Sequence, residues 1–359
     1  MNTERSALSG RPALEDLIEA RLNQGLLGHW YVVAKSADIL PGGVLAVKAL
    51  GRDLVLWRSS DGRLGCVEDR CPHRGARLSH GRVVAQDISC RYHGVIVDGA
   101  GKIADIPALS NCSLRGRAAV TAYPVREASD GVFAYFASTE RPEPQDFTLP
   151  AEIDSPEHCA FLCTSLWQCN YRYVTENLAD PMHGIYLHAD SFTLADGATQ
   201  DVVALEQTET GFIVRRVGQQ GVNFDWVEII AQPPLLYARV LIPYPKAGGP
   251  GPAMTVICFV TPVDDTSCRI FFWRTRKVQG VARQTWRFLF RTTFEARHWT
   301  VLEQDREMLG AMHADARDRE LLYQHDIGVV RMRRYLAQQA KHQVEADEGA
   351  RAGSAPERH

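Results

Sequence analysis

Cys71-Pro72-His73-Arg74-Gly75 and, with sixteen residues intervening after His73, Cys90-Arg91-Tyr92-His93-Gly94 are the stretch on which the reading of this chain turns. Each half offers one thiolate and one imidazole, at C-x-H and then C-x-x-H spacing. Two loops of this kind can bring both sulfurs to one iron of a [2Fe–2S] cluster and both imidazoles to the other. Replacing two thiolates by neutral imidazoles raises the reduction potential of such a cluster. A structural zinc site accepts the same four ligands. Zinc sites usually pair cysteine with cysteine and histidine with histidine within each short spacing, whereas here the two types alternate.

The 359 residues are enough for two domains and a substantial core. Forty Lys and Arg against 43 Asp and Glu leave a formal net charge of −3, so nothing drives binding to nucleic acid or to an acidic membrane surface. No apolar run approaches the roughly 20 residues of a spanning helix. Met1–Pro12 is polar and lacks the apolar stretch of a signal peptide, which leads us to expect a cytoplasmic protein. Of nine cysteines only Cys71 and Cys90 sit in a ligand pattern. The other seven read as small buried hydrophobes in a reducing compartment.

Residues 12–24 carry apolar side chains at Leu14, Leu17, Ile18 and Leu22, a helical period that Gly25 stops. Short strand-like runs follow, punctuated by Pro41-Gly42-Gly43, Gly51-Arg52 and Asp61-Gly62, and they end with Gly131–Ala137. The expected organisation is an N-terminal helix over 1–27 packing on the second domain, a small all-β domain over 28–138, and a proline-rich linker over 139–157. A catalytic domain over 158–344 follows, with strands, then a long helical region from Val281 to about Val344. Residues 345–359, rich in Ala, Glu, Arg and Gly, read as a disordered tail.

A second cluster of ligand types lies in Asp180-Pro181-Met182-His183-Gly184-Ile185-Tyr186-Leu187-His188. Asp180 and His183 are three apart and share a helix face. His183 and His188 are five apart, about 140° around an ideal helix, so they converge on one ion only if the backbone deviates. Gly184 offers a place for that deviation.

Taken together, the C-P-H-R-G and C-x-Y-H-G loops and the downstream D-x-x-H-x-x-x-x-H segment resemble the Rieske non-haem iron oxygenases, α-subunit type, over nearly the whole chain. The likeness is strongest to the phthalate dioxygenase and aryl O-demethylase group. It implies an α+β fold, a Rieske domain joined to a helix-grip domain in which an antiparallel sheet wraps a long C-terminal helix. It also implies a cluster held by Cys71, His73, Cys90 and His93, and a mononuclear Fe(II) held by His183, His188 and a downstream carboxylate. Asp305 matches that carboxylate best, with Glu303, Glu307 and Asp315 as competitors. Asp180 takes the position of an aspartate that bridges the iron site to His93 of a neighbouring subunit in a homotrimer. Where the family commonly has tryptophan after C-x-Y-H-G this chain has Val95, near the expected exposed edge of the cluster.

The chain shows no strand followed by G-x-G-x-x-G, so its electrons are expected from a separate NAD(P)H-dependent reductase, directly or through a ferredoxin. The resemblance implies an O2-dependent terminal oxygenase that hydroxylates or oxidatively demethylates an aromatic substrate. Leu178, Met182, Phe224, Trp226, Phe259 and Phe272 are candidates to line its pocket. The alternative is an electron carrier using only the cluster, which leaves the long segment beyond the linker without a role.

Overall fold

The computed structural model describes residues 12–244 and 248–353. The all-β domain is built from three small sheets. Strands β1 (His29–Lys35), β2 (Val44–Ala49), β3 (Arg52–Arg58) and β4 (Leu64–Glu68) come first. Four short strands, β5 (Arg82–Val84), β6 (Asp87–Ser89), β7 (Ile96–Val97) and β8 (Ile103–Asp105), follow, and β9 (Val125–Ala128) and β10 (Gly131–Phe136) close the domain. The sheets run β1-β10-β9, β2-β3-β4 and β5-β6-β7-β8, all antiparallel. β3 is apolar without alternation because both faces are covered. Leu54 and Leu56 enter one core, and Val55 and Trp57 enter the core beneath Cys71 and Cys90.

β1 and β10 divide their faces differently. Tyr31, Val33, Val132, Ala134 and Phe136 fill the β domain's own core. Trp30, Val32, Phe133 and Tyr135 point the other way, onto Leu235, Ile257, Phe259, Phe271 and Trp273 of the second domain. The proline-rich stretch at 139–157 is not a free linker. Its Phe147 and Leu149, with Ile153 of the short α2 (Ala151–Asp154), are buried in that same shared core. Truncating one of these buried aromatics to alanine costs roughly 3–5 kcal/mol, so the two domains are held as one body.

The second domain is a seven-stranded antiparallel sheet. Its strands are β11 (His158–Trp167), β12 (Val203–Gln207), β13 (Gly211–Arg216), β14 (Trp226–Gln232), β15 (Leu235–Ile242), β16 (Met254–Asp264) and β17 (Ser267–Lys277). Their order is β11-β17-β16-β15-β14-β13-β12. Alternation along β17 sorts its residues by face: Cys268, Ile270 and Phe272 face the helices, Phe271 and Trp273 face the β domain. Against the inner face lie α1 (Leu14–Gln24), α3 (Tyr171–Leu178), α4 (His183–Leu187), α6 (Glu295–Gly310) and α8 (Ile327–Gly353). A helix α5 (Gly280–Leu289) leads through a π-helical turn at Phe290–Phe294 into α6, and a four-residue α7 (Ala316–Arg319) precedes α8. This α+β architecture is the one the sequence led us to expect.

The expected disordered tail at 345–359 is corrected over 345–353, where the chain continues α8. Val344 is buried, and Asp347 accepts hydrogen bonds from Arg21 and Thr139 at 3.3 and 2.5 Å, which holds these turns against α1 and the segment after β10. Residues 354–359 and Met1–Arg11 lie outside the described residues. Among the described residues no helix is long and apolar enough to cross a membrane.

Candidate metal centres

The two cluster loops have the same backbone. In each, the cysteine carbonyl accepts from the glycine four residues on (2.9 Å for Gly75, 3.0 Å for Gly94). In each, the cysteine N–H donates to the carbonyl five residues on (Ala76, 2.7 Å; Val95, 2.8 Å). Gly75 and Gly94 have φ of 74° and 72°, a left-handed geometry that a side chain would strain. One loop follows β4 and the other joins β6 to β7. The histidine sits two residues after Cys71 in the first and three after Cys90 in the second. Both cysteines are buried and both histidines exposed, with His73 Nδ1 and His93 Nδ1 facing each other at 3.1 Å. Burial pushes the Cys71 thiol up, and Cys90, its hydrogen-bond partner, pushes it the same way; the amides of His73 and Arg74 oppose both. Paired inner sulfurs and paired outer imidazole nitrogens fit a [2Fe–2S] cluster with divided ligands.

Val95 is corrected in place. Its side chain is only 3% exposed and belongs to the core under the loops, so it contributes nothing to an outer edge. The exposed edge is made by Tyr92, which lies against His93 with ring centroids 3.8 Å apart, and by Arg74 over Tyr92.

The second centre is built by a broken helix. Asn170 caps α3 by accepting from the Arg172 N–H at 3.0 Å. α3 stops at Leu178 because Pro181 offers no N–H and disfavours helical backbone at Asp180. Asp180 Oδ1 then accepts from the Met182 N–H at 2.8 Å, an Asx turn that starts α4 at His183. His188 follows the last residue of α4 with φ −107° and ψ 29°, out of the helix. The deviation that lets the two histidines converge therefore falls at His188, not at Gly184, which stays inside α4.

His183, His188 and Asp305 bring one ligand atom each within 4.8 Å of the others. Asp305 Oδ1 lies 3.6 Å from His183 Nε2 and 3.4 Å from His188 Nε2. The far ring nitrogens are both engaged: His183 Nδ1 with the Asp180 carbonyl at 2.5 Å, His188 Nδ1 with Gln304 Oε1 at 2.9 Å. Acceptors on both Nδ1 atoms select the tautomer whose Nε2 lone pair points to the shared centre. For His188, burial disfavours the charged form, but the Asp305 carboxylate and Gln304 outweigh it and raise the pKa. Two imidazoles and a carboxylate, with no fourth side chain in the group, fit an iron(II) site with open positions.

Of the competing carboxylates, Glu303 pairs with Arg306 at 2.6 Å and Asp315 with Arg319 at 3.2 Å, while Glu307 is exposed. Asp180 sits with its Oδ2 4.0 Å from His183 Nδ1, so the direct contact to that ring is its carbonyl rather than its carboxylate. Gln304 and Asn177, whose amide donates to Asp305 Oδ1 at 3.4 Å, were not singled out in the sequence. A neutral amide next to a carboxylate carries no spacing signal of its own.

The triad lines a cavity of about 100 Å3. Leu178, Phe224 and Phe272 wall it, with Val240, Ile242, Met254 and Val256 from the neighbouring strands. Met182, Trp226 and Phe259 do not. Met182 is buried in the core of the inner face, Phe259 faces the β domain by strand alternation, and Trp226 lies under Arg239.

The Rieske [2Fe-2S] domain family matches residues 29–124, and the vanillate O-demethylase oxygenase C-terminal domain matches residues 167–342. The oxygenase subunit of phthalate 4,5-dioxygenase from Pseudomonas putida is 26% identical over 75% of this chain and 64% of its own length. The terminal oxygenase component of carbazole 1,9a-dioxygenase from Metapseudomonas resinovorans is 32% identical over 54% of this chain and 50% of its own. The chain thus spans less than two thirds of the length of these curated relatives. Among solved structures, the terminal oxygenase of carbazole 1,9a-dioxygenase from Nocardioides aromaticivorans IC177 shares the fold. Its TM-score is 0.71 at 20% identity, covering 91% of this chain and 98% of that one.

Proposed function

The chain is of the Rieske oxygenase type in both of its domains, and from that premise we propose that it is a terminal oxygenase component acting on an aromatic substrate. Its reaction is hydroxylation or oxidative demethylation, with O2 as co-substrate. The observation that carries this reading is the convergence of His183, His188 and Asp305 on one point at the wall of an apolar cavity. Cys71 and Cys90 would hold one iron of the cluster and His73 and His93 the other, while His183, His188 and Asp305 would hold iron(II). When bound, these groups supply single electrons and open coordination positions for O2.

The chain's own residues do the rest. Gln304 and the Asp180 carbonyl fix the two imidazoles by their Nδ1 atoms, so neither ring has to reorient when an ion or substrate arrives. Val240, Val256 and Phe272 keep water from the space beside the triad, and the ring of Phe224 stands 5.6 Å edge-on to His183. These walls suit a flat apolar ring. An electron carrier would have no use for this cavity or for the triad in it.

The exposed rim of His73, Tyr92 and His93 is where we place electron delivery from a separate NAD(P)H-dependent reductase, directly or through a ferredoxin. The oxygenase of carbazole 1,9a-dioxygenase has been solved as a complex with a ferredoxin, which supports a partner of that class. A homotrimer in the cytoplasm, with Asp180 facing a neighbour's His93, completes the proposal.

Metal analysis and a substrate screen test it together. We expect about three irons per chain, two from the cluster and one from the triad, and O2-dependent product formation with a surrogate reductase. A zinc-loaded, colourless protein, or two irons with no oxygenation of any aromatic compound, overturns it.

A further inference from the structure

Two arginines on β17 follow Phe272 on the helix-facing side, at alternate positions, and they differ in one respect. Arg276 is satisfied. Its guanidinium donates to the carbonyls of Gly248, Gly249, Gly251 and Pro252, and lies over the rings of Tyr244 and Trp286. Arg274 is only 3% exposed, lines the triad's cavity, and its Nη1 and Nη2 have no hydrogen-bond partner among the described residues. It forms no ion pair among the described residues. The ring of Trp299 at 5.3 Å attracts the charge but accepts none of its N–H groups, and Glu295 acts on it without forming an ion pair.

A second polar group opens onto the same end of the cavity. His298 is buried, its Nε2 is 2.8 Å from the Tyr244 hydroxyl, and its Nδ1 has no partner among the described residues. Burial and the charges of Arg274 and Arg276 push its pKa down to about 3, so it stays neutral. If the Tyr244 hydroxyl donates to Nε2, the Nδ1 carries the hydrogen and becomes a donor without any net protonation. A buried, unpaired guanidinium is costly, and a planar carboxylate is the group whose two oxygens match its fork.

Position along α6 sets the size of what fits. His298 and Asp305 are seven residues apart on that helix, about 10 Å of rise. That span takes a carboxylate at one end and a single aromatic ring before the triad. We propose that the substrate is a one-ring aromatic carboxylate, its carboxylate held by Arg274 and His298 and its ring directed toward His183, His188 and Asp305. This assignment rests on the oxygenase reading above and adds the polar anchor to it.

Equilibrium binding tests it without turnover. Benzoate and its neutral isostere benzamide are titrated by calorimetry into the wild-type protein, Arg274→Met and Arg274→Lys, with iron content measured on each sample. Wild type should bind benzoate and discriminate against benzamide. Arg274→Met should lose about 100-fold in benzoate affinity, the scale of breaking a buried charge pair, while Arg274→Lys keeps the charge without the fork and loses about 10-fold. Equal affinity of wild type for benzoate and benzamide, no benzoate binding in the millimolar range, or undiminished benzoate binding by Arg274→Met each overturns the proposal. The wild-type comparison decides even if the variants fail to fold. Protein that lacks the third iron tells against the oxygenase reading instead, whereas iron-loaded protein indifferent to Arg274 tells against this anchor alone.

Discussion

His188 Nδ1 lies 2.9 Å from Oε1 of Gln304, the residue immediately before Asp305 on α6. One helical turn thus carries both a triad carboxylate and the acceptor that orients a triad histidine. Loss of such a partner typically costs 10–100-fold in metal affinity. We expect Gln304→Leu to release iron to a chelator about 10–100-fold more readily than wild type, with the cluster spectrum unchanged. Iron retention equal to wild type would show that the ring is held by packing alone.

His183→Ala, His188→Ala and Asp305→Ala should each abolish turnover while leaving the cluster's spectrum intact, because the two ligand sets share no residue. Asp305→Ala is the sharper test. Glu303 is tied to Arg306 and Glu307 is exposed to solvent, so neither stands in the cavity to replace it. Activity and iron content at wild-type level in Asp305→Ala would move the third ligand elsewhere.

What the sequence made legible follows from how much each residue type reveals. Alternating cysteine and histidine is rare outside ligand loops, so Cys71, His73, Cys90 and His93 stand out without any structure. The seven-stranded sheet was legible as runs of alternating or apolar residues. Pro181 marks where α3 ends, yet the sequence drew attention to Gly184, because glycine signals freedom while the deviation at His188 arises at an ordinary helix end. Arg274 and Arg276 look alike as R-T-R on one strand. Only the loop carbonyls around 248–252, distant in sequence, separate the satisfied guanidinium from the unpaired one. The stretch 139–157 reads as a linker from its prolines, and burial of Phe147 and Leu149 depends on a core that Trp30 and Phe133 share with strands of the second domain, which forms only when the two domains meet.

Acid stability should depend on His29. It is buried, its Nδ1 2.7 Å from the Leu27 carbonyl, and burial pushes its pKa down to about 4 from an ordinary 6.5. A histidine with a lowered folded pKa contributes stability that is present above pH 6.5 and lost as pH falls toward 4, since the unfolded chain takes the proton first. Between pH 7.5 and 5 this amounts to about 2 kcal/mol. His29→Asn keeps a donor for the Leu27 carbonyl but does not titrate. The fall in thermal midpoint over that pH range should be smaller in His29→Asn than in wild type, whatever the difference in level at pH 7.5. Parallel curves would remove His29 from the acid limb.

Asp180 poses the remaining question, because its carboxylate already has a local task. Oδ1 closes the turn at Met182, while Oδ2 stands 4.0 Å from His183 Nδ1 and the side chain is 27% exposed. A purely structural Asp180 would be replaced well by asparagine, whose side-chain oxygen makes the same Asx turn. A bridging Asp180, linking His183 to His93 of a neighbouring subunit, would not, since asparagine removes the charge on the free oxygen. We therefore expect Asp180→Asn to keep both metal centres and its thermal midpoint but to turn over very slowly. In a single-turnover experiment its reduced cluster should stay reduced when substrate and O2 are added. Rapid reoxidation with normal product yield would leave the residue only its turn. The subunit crossing is checked by co-expressing His93→Ala and His183→Ala chains, each inactive alone. Mixed oligomers should recover partial activity if electrons pass between subunits, and demonstrated mixed oligomers without activity would put the transfer within one chain.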